Sequence, residues 1–291
     1  MEHMGDVGAL VLRISGLTKR YGDVQALDDV HLTIGAGMFG LLGPNGSGKS
    51  SLMRTIATLQ APDSGSIFLG DLDVLKHKEE LRKRLGYLPQ EFGVYPGISA
   101  MDLLQYLAML KGVHNKKERQ EVASYLLHKV NLYEERNKAV SAYSGGMRQR
   151  FGVAQCMIGN PDLIIVDEPT AGLDPSERNR FYSILNEIGT QAIVLLSTHI
   201  VQDVQEMCSQ FAIIDRGTVL FSGKTEDALG KIVGHVYCME REEEDIPNVL
   251  TTKYAFGKKV HRVYGTTQPE YASAVEATIE DMYFATLRRY I

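Results

Sequence analysis

The stretch "MFGLLGPNGSGKSSLMRTIATL", residues 38–59, decides the fold. Its centre is "GPNGSGKS", residues 43–50. The apolar run before it, "MFGLL", reads as a buried strand. The segment after it brings Leu52, Ile56 and Leu59 to helical spacing. Gly43, Gly48, Lys49 and Ser50 fit the pattern G-x-x-x-x-G-K-[ST]. Glycines let successive amide N–H groups turn inward around an anion without a side-chain clash. The N-terminus of the following helix adds its positive dipole end to the same anion. Lys49 offers a charge for β- and γ-phosphates, and the Ser50 hydroxyl suits Mg²⁺. A glycine-rich turn with an incidental Lys-Ser is the alternative. The strand before it and the helix after it favour a nucleoside triphosphate site.

Such a site needs acids for metal and water. "LIIVDEP", residues 163–169, is a continuous apolar run ending in two of them. Runs of this kind form parallel strands buried on both faces, and ligands gather at their carboxyl ends. Asp167 falls at the strand tip, where it can hold Mg²⁺ through water. Glu168 follows and can face an attacking water. "AYSGGMRQR", residues 142–150, opens another helix with Ser-Gly-Gly, a second N-terminal anion site. "STH", residues 197–199, ends the strand-like "AIVLLS", and "GYLPQ", residues 86–90, ends in Gln90. A lone histidine or glutamine is more often structural, but the order and spacing of these pieces together are specific.

Over about residues 10–225 the chain resembles the ATP-binding subunit of an ABC transporter. That resemblance implies a Walker A loop made of Gly43, Pro44, Asn45, Gly46, Ser47, Gly48, Lys49 and Ser50, with Ser51 beside it. It implies a Q-loop glutamine at Gln90, a signature motif at 143–147 and a Walker B aspartate at Asp167. Catalytic Glu168, a D-loop ending in Asp174 and a switch histidine at His199 follow. Tyr21, in "LTKRYG", matches the aromatic that stacks on adenine; a strand residue of no special role is the plain alternative. Catalysis is thus expected of Glu168, His199, Lys49 and Gln90, and metal contact of Ser50, Gln90 and Asp167. The cofactors are ATP and Mg²⁺. The family's signature is Leu-Ser-Gly-Gly-Gln, whereas this chain has Tyr143 and Met147 at the two ends. Ser144, Gly145 and Gly146, the phosphate-facing part, are intact.

The implied fold class is α/β. It comprises a P-loop NTPase (RecA-like) core, an antiparallel β lobe, an inserted helical lobe at about 91–142, and a small α+β C-terminal extension at 226–291. The alternating stretches at 10–40 and "GSIFLGDLDV" supply the β lobe. Ser99 followed by Asp102 resembles a capping box before "LLQYLAML", and residues 115–130 form a second, charged amphipathic stretch. In the family the helical lobe docks on the membrane subunit; "EFGVYPGIS", with Tyr95 and Pro96, is placed at that joint. In the tail, "GHVYCME" and "KKVHRVYG" read as strands. "TIEDMYFATLRRY" reads as a helix with Ile279, Met282, Tyr283 and Leu287 on one face. "REEEDIP" reads as a solvated acidic loop, and His235 and His261 as surface residues.

Composition bounds the partners. The 291 residues are 44% hydrophobic and 23% charged, ordinary for a soluble globular chain. A net charge of −5 supplies no basic field for nucleic acid. No apolar run is long enough to span a bilayer, and no secretory leader is evident. Cys156, Cys208 and Cys238 are widely spaced and read as buried reduced thiols. The resemblance therefore implies a peripheral ATPase at the cytoplasmic face of the cell membrane. Its partners would be integral membrane permease subunits and a second copy, or a paralogous ATPase, clasping ATP head to tail. The tail is similar to that of drug, antibiotic or polysaccharide exporters. A soluble ABC ATPase outside transport and an importer ATPase are the alternatives. The interval between Lys49 and Ser144 has no room for the long coiled coil of DNA-maintenance relatives.

Overall fold

The computed structural model describes residues 10–90, 92–93, 96–170, 173–241 and 246–291. Tyr95 and the acidic residues 242–245 lie outside them. Strands β1 (Val11–Tyr21) and β2 (Val24–Gly35) form an antiparallel hairpin. The turn between them places Gly22 at φ 55°, in the left-handed region that glycine adopts at little cost. Next, β3 (Gly37–Leu42) enters a second, central sheet. Helix α1 (Lys49–Ile56) follows it across the glycine loop. The chain then returns to the first sheet as β4 (Ser64–Leu69), paired with β1, and β5 (Leu72–Asp73). This sheet, in the order β2-β1-β4-β5, is the antiparallel lobe.

A short helix, α2 (Lys78–Lys83), precedes β6 (Leu85–Leu88). Two helices, α3 (Ala100–Leu110) and α4 (Lys116–Lys129), pack side by side. Both are side-chain capped: Ser99 Oγ accepts from the Asp102 amide at 3.1 Å, and Asn115 Oδ1 accepts from the Lys117 amide at 2.8 Å. Ser99 reciprocates through its hydroxyl, which donates to Asp102 Oδ2 at 2.6 Å. Then come α5 (Gly145–Cys156), β7 (Leu163–Asp167), α6 (Pro175–Gly189), β8 (Ile193–Thr198) and α7 (Val201–Met207). Strands β9 (Gln210–Asp215) and β10 (Thr218–Lys224) complete the central sheet.

Its order is β10-β9-β3-β8-β7-β6, with every pair parallel except β9 and β10. The apolar runs are continuous because both faces are covered. Leu163 and Ile165 of β7 face the core shared with α1 and the antiparallel lobe. Ile164 and Val166 face the core shared with the helices. Burial of each such side chain stabilises the fold by about 1.5–3 kcal/mol.

Beyond α8 (Thr225–Gly230), strands β11 (Val236–Glu240), β12 (Val249–Ala255), β13 (Lys258–Tyr264) and β14 (Ser273–Ala274) form a third, antiparallel sheet. The last helix, α9 (Ile279–Leu287), begins with a reciprocal capping box between Thr278 and Asp281. Asp281 is wholly buried and takes Arg262 Nε at 2.7 Å and Nη2 at 2.6 Å. Ile279, Met282 and Tyr283 are buried in the same core as the central helices. The surface expectation for His261 is corrected: it is only 2% exposed. Its ring lies between Thr252 Oγ1 at 2.9 Å and the Arg241 carbonyl at 3.0 Å. Pairing of β13 between β12 and β11 covers it, and β12 is the strand that alternation in the tail does not reveal. His235 is partly buried against the Gly265 carbonyl. Cys156 and Cys208 are buried, whereas Cys238 is only partly so.

Candidate functional site

The glycine loop connects the carboxyl end of β3 to α1. Gly43 is required by close approach: a Cβ there would lie 2.3 Å from the Ile214 carbonyl and 2.5 Å from Ser47 Oγ. Gly48 is required by conformation, with φ 108° at the helix N-cap and the Ala26 carbonyl 2.5 Å from any added Cβ. Among the described residues no side chain caps α1, and its first turn carries no acid. Its leading amides are therefore left to an anion. In the same loop Ser47 Oγ is buried without a hydrogen-bond partner among the described residues. These features fit a phosphate chain.

Lys49 is 5% exposed and donates to the carbonyls of Gly43 at 2.7 Å and Pro44 at 3.1 Å. Burial pulls its pKa down, and the carboxylates of Glu168 and Asp167 partly restore it. Its ammonium lies 3.9 Å from Glu168 Oε1. Glu168 stands just past β7 with φ 46°, an uncommon conformation for a residue with a side chain. Hydrogen bonding holds it there, since its amide donates to the Ser197 carbonyl at 3.1 Å. His199 Nδ1 lies 3.3 Å from Glu168 Oε1, and Gln90 Nε2 donates to Glu168 Oε2 at 3.2 Å. Asp167, 4% exposed, accepts a hydrogen bond from the Ser197 hydroxyl.

Tyr21, Asn45, Gly46, Ser47, Gly48, Lys49, Ser50, Ser51, Gln90 and Glu168 line one cleft of about 480 Å³. Tyr21 is 45% exposed at its rim, with its hydroxyl 2.5 Å from Gln60 Oε1. Val24, Gln25 and Ala26 complete the wall. Gln90, Lys49 and His199 meet around the Glu168 carboxylate, His199 from outside the lining of this cleft. Ser144, Gly145, Gly146 and Asp174 do not line this cleft. Ser144 caps α5, accepting from the Met147 amide at 3.2 Å, and Ser144 and Gly145 are exposed. Gly146 is buried, pressed against the Glu177 side chain. Asp174 caps α6 through the Glu177 amide at 2.8 Å.

Two residues that depart from the expected signature have structural uses. Tyr143 is 4% exposed, and its hydroxyl donates to the Glu135 carbonyl at 2.9 Å. Burial and the nearby Glu135 push that hydroxyl up to about 12. It ties the loop before α5 to the end of the helical lobe. Met147 packs against the helix-side core. Sequence reasoning missed Ser197 as a partner of both acids, although it stands in the quoted "STH".

Metal would find oxygen here. Among the described residues no group of three or more His, Cys, Asp or Glu forms a metal cage. The Ser50 hydroxyl, Gln90 and Asp167 are instead a sparse oxygen set, the kind that binds Mg²⁺ when phosphates supply further ligands.

Comparison with known proteins meets this geometry. An ABC transporter family model matches residues 27–171. The NatA ABC transporter ATP-binding protein of Bacillus subtilis is 33% identical over 254 residues, 85% of this chain and 99% of that one. The chain belongs to the ATP-binding subunits of ABC transporters.

This ABC subunit is also 33% identical to the daunorubicin/doxorubicin resistance ATP-binding protein DrrA of Streptomyces peucetius. That match covers 77% of the chain and 68% of DrrA. A solved ATP-binding subunit of an ABC transporter superposes with a TM-score of 0.69 at 28% identity, covering 76% of this chain and 92% of that one. The ATP-binding cassette MJ0796, solved as a dimer in a post-hydrolysis state with ADP and Pi, superposes with a TM-score of 0.65 at 25% identity. That match covers 73% of this chain and 98% of the cassette. The ABC subunit is an ATPase of α/β class, and the glycine loop and the carboxyl ends of β3, β7 and β8 surround its cleft. Among the described residues no helix is long and apolar enough to cross a membrane.

Proposed function

We propose that two copies of this chain, or one copy and a paralogous ATPase, close head to tail on ATP and drive export through separate membrane subunits. One observation carries the reading. Ser144 and Gly145 open an exposed helix N-terminus that lies outside the cleft of their own chain. A partner's γ-phosphate would satisfy that terminus. Each site is then half Lys49 and Glu168 from one chain and half Ser144 to Gly146 from the other.

In this mechanism Lys49 and the loop amides hold the phosphates. Tyr21 stacks on the base at the cleft rim. Glu168 takes a proton from the attacking water, and Gln90 and His199 hold its two oxygens. His199, adjacent to the phosphate end, fixes or senses the γ-phosphate. Mg²⁺, held by Ser50, Asp167 and Gln90, would neutralise charge that develops on the phosphoryl oxygens. Asp174, at the head of α6, belongs to the contact with the partner. Cleavage replaces one bridging group by two mutually repelling products, and the dimer opens.

Permease docking is supported by a cleft of about 540 Å³ where Tyr87, Pro89, Phe92 and Gly93 meet Leu107 and Leu110 of α3. It abuts Gln90, so opening at the ATP site would be felt there. Residues 10–225 would serve as the ATP-binding unit, with residues 226–291 as an extension. Export is supported by a relative named for it, the Nod factor export ATP-binding protein I of Ralstonia nicotianae, 31% identical over 252 residues, and drug efflux would fit DrrA, which is named for daunorubicin/doxorubicin resistance. Peripheral attachment at the cytoplasmic face follows from that role.

Composite sites make a direct kinetic prediction. The specific ATPase activity of the isolated chain should rise with protein concentration and then level off. Specific activity constant over a hundredfold dilution, at concentrations where sedimentation shows monomer, would mean that one chain holds a whole site.

A further inference from the structure

We infer that Asp203 is a positioning residue for ATP hydrolysis: its buried carboxylate holds the loop carrying Glu168 and the loop carrying His199 in one register. The inference rests on the roles proposed above for those two residues.

Asp203 lies in the first turn of α7 and is 0% exposed. Its Oδ2 accepts from Thr170 Oγ1 at 2.6 Å and from Thr198 Oγ1 at 3.0 Å. Its Oδ1 accepts from the Tyr182 hydroxyl of α6, and Arg178 Nη1 stands 4.0 Å away. Burial and the Asp203 carboxylate together push the Tyr182 hydroxyl far above its usual range, so it stays a donor.

The placement matters more than the bonds. Strands β7 and β8 are registered up to the pair Asp167 and Ser197, and the Glu168 amide makes a last bond to the Ser197 carbonyl. There the ladder ends and the two loops diverge. Thr170 is two residues past Glu168, and Thr198 immediately precedes His199. One carboxylate oxygen is shared by both hydroxyls just where backbone pairing stops. Thr198 Oγ1 also accepts from the Ile200 amide at 2.9 Å, so the turn that aims His199 is set by the same group. A buried carboxylate is costly unless fully hydrogen-bonded, and here the compensating donors come mainly from the elements that carry the chemistry. The His199 to Glu168 contact of 3.3 Å is the distance this arrangement maintains.

The full-length chain should be compared as Asp203→Asn, Thr170→Val, Thr198→Val and Tyr182→Phe, by steady-state ATPase kinetics and thermal melting. Asp203→Asn and Thr198→Val should lower kcat by about 10- to 100-fold, the scale of a misplacement near 1 Å, while KM for ATP changes less than about threefold. Thr170→Val should lower kcat by a smaller factor. Tyr182→Phe removes a bond to Asp203 from α6 alone; it should lower Tm and keep kcat within about threefold. In a His199→Ala background, Thr198→Val should change kcat by less than about twofold, because both act through the same imidazole.

If Asp203→Asn does not fold, the threonine variants decide. Folded Thr170→Val and Thr198→Val chains with parental kcat, or all four variants losing Tm with kcat intact, would overturn the inference. Glu168→Gln and His199→Ala are measured alongside. If those two retain full turnover, the site reading itself fails; if they lose it while the threonine variants do not, only the role of Asp203 fails.

Discussion

Lys49→Ala should reduce ATP turnover to background and weaken ATP binding by about 10- to 100-fold, the worth of a charge-assisted hydrogen bond to phosphate. The ammonium is buried at the base of the cleft, between two loop carbonyls and Glu168. Its distance to Glu168 Oε1, 3.9 Å, places it beside the carboxylate that would face water. Alanine leaves the loop backbone intact, because Gly43 and Gly48 set its path. What goes is a buried cation proposed to meet the phosphates and the charge that opposes build-up on the transferred group. Steady-state turnover and titration with a fluorescent ATP analogue measure the two effects. A Lys49→Ala chain that hydrolyses ATP at the parental rate would remove the loop from the mechanism.

Glu168→Gln should cost roughly two to four powers of ten in kcat, about 3–5 kcal/mol, with ATP affinity preserved. The substitution keeps the shape and the unusual backbone position but removes the carboxylate proposed to take a proton from water. Its amide oxygen can still accept from Gln90, so the site should not collapse. Single-turnover hydrolysis and equilibrium binding separate the two quantities. Parallel loss of binding and turnover would assign Glu168 a structural role; unchanged turnover would move the base elsewhere.

The parts legible in the sequence are those written in local spacing. The loop at 43–50 is determined by glycines within a few residues of one another, and its strand and helix neighbours show their own periodicities. The run at 163–166 is apolar throughout because two cores cover it, and that too is a local signature. Ser144 caps a helix whose opening Ser-Gly-Gly a short window reveals, whereas the N-cap role of Asp174 came only with the structure. What stayed hidden depends on contacts between distant segments. Asp203 stands among polar neighbours in "VQDVQEM" and looks solvated; it is buried because Thr170, Tyr182 and Thr198 converge on it. His261 stands between Val260 and Arg262 in a stretch rich in lysine and arginine, and it is buried where β13 pairs between β11 and β12. Tyr143 occupies a signature position, yet its hydroxyl serves the Glu135 carbonyl eight residues upstream. The gathering of Gln90, Lys49 and His199 around Glu168 is likewise a product of sheet order, since β6 pairs with β7 and β3 with β8 across long intervals of sequence.

The central claim is that one chain supplies half of each ATP site. Sedimentation of Glu168→Gln, with and without ATP, against Glu168→Gln/Ser144→Arg tests it most directly. Without nucleotide both should sediment as monomers. With ATP the first cannot remove the γ-phosphate, so the bridge persists and a dimer is expected. The second should bind ATP through its own Lys49 loop and remain monomeric, because arginine blocks the exposed α5 terminus that would meet the partner's phosphate. An ATP-dependent dimer of equal strength in the Ser144→Arg chain would contradict the account, since residues 143–147 could then not be at the interface.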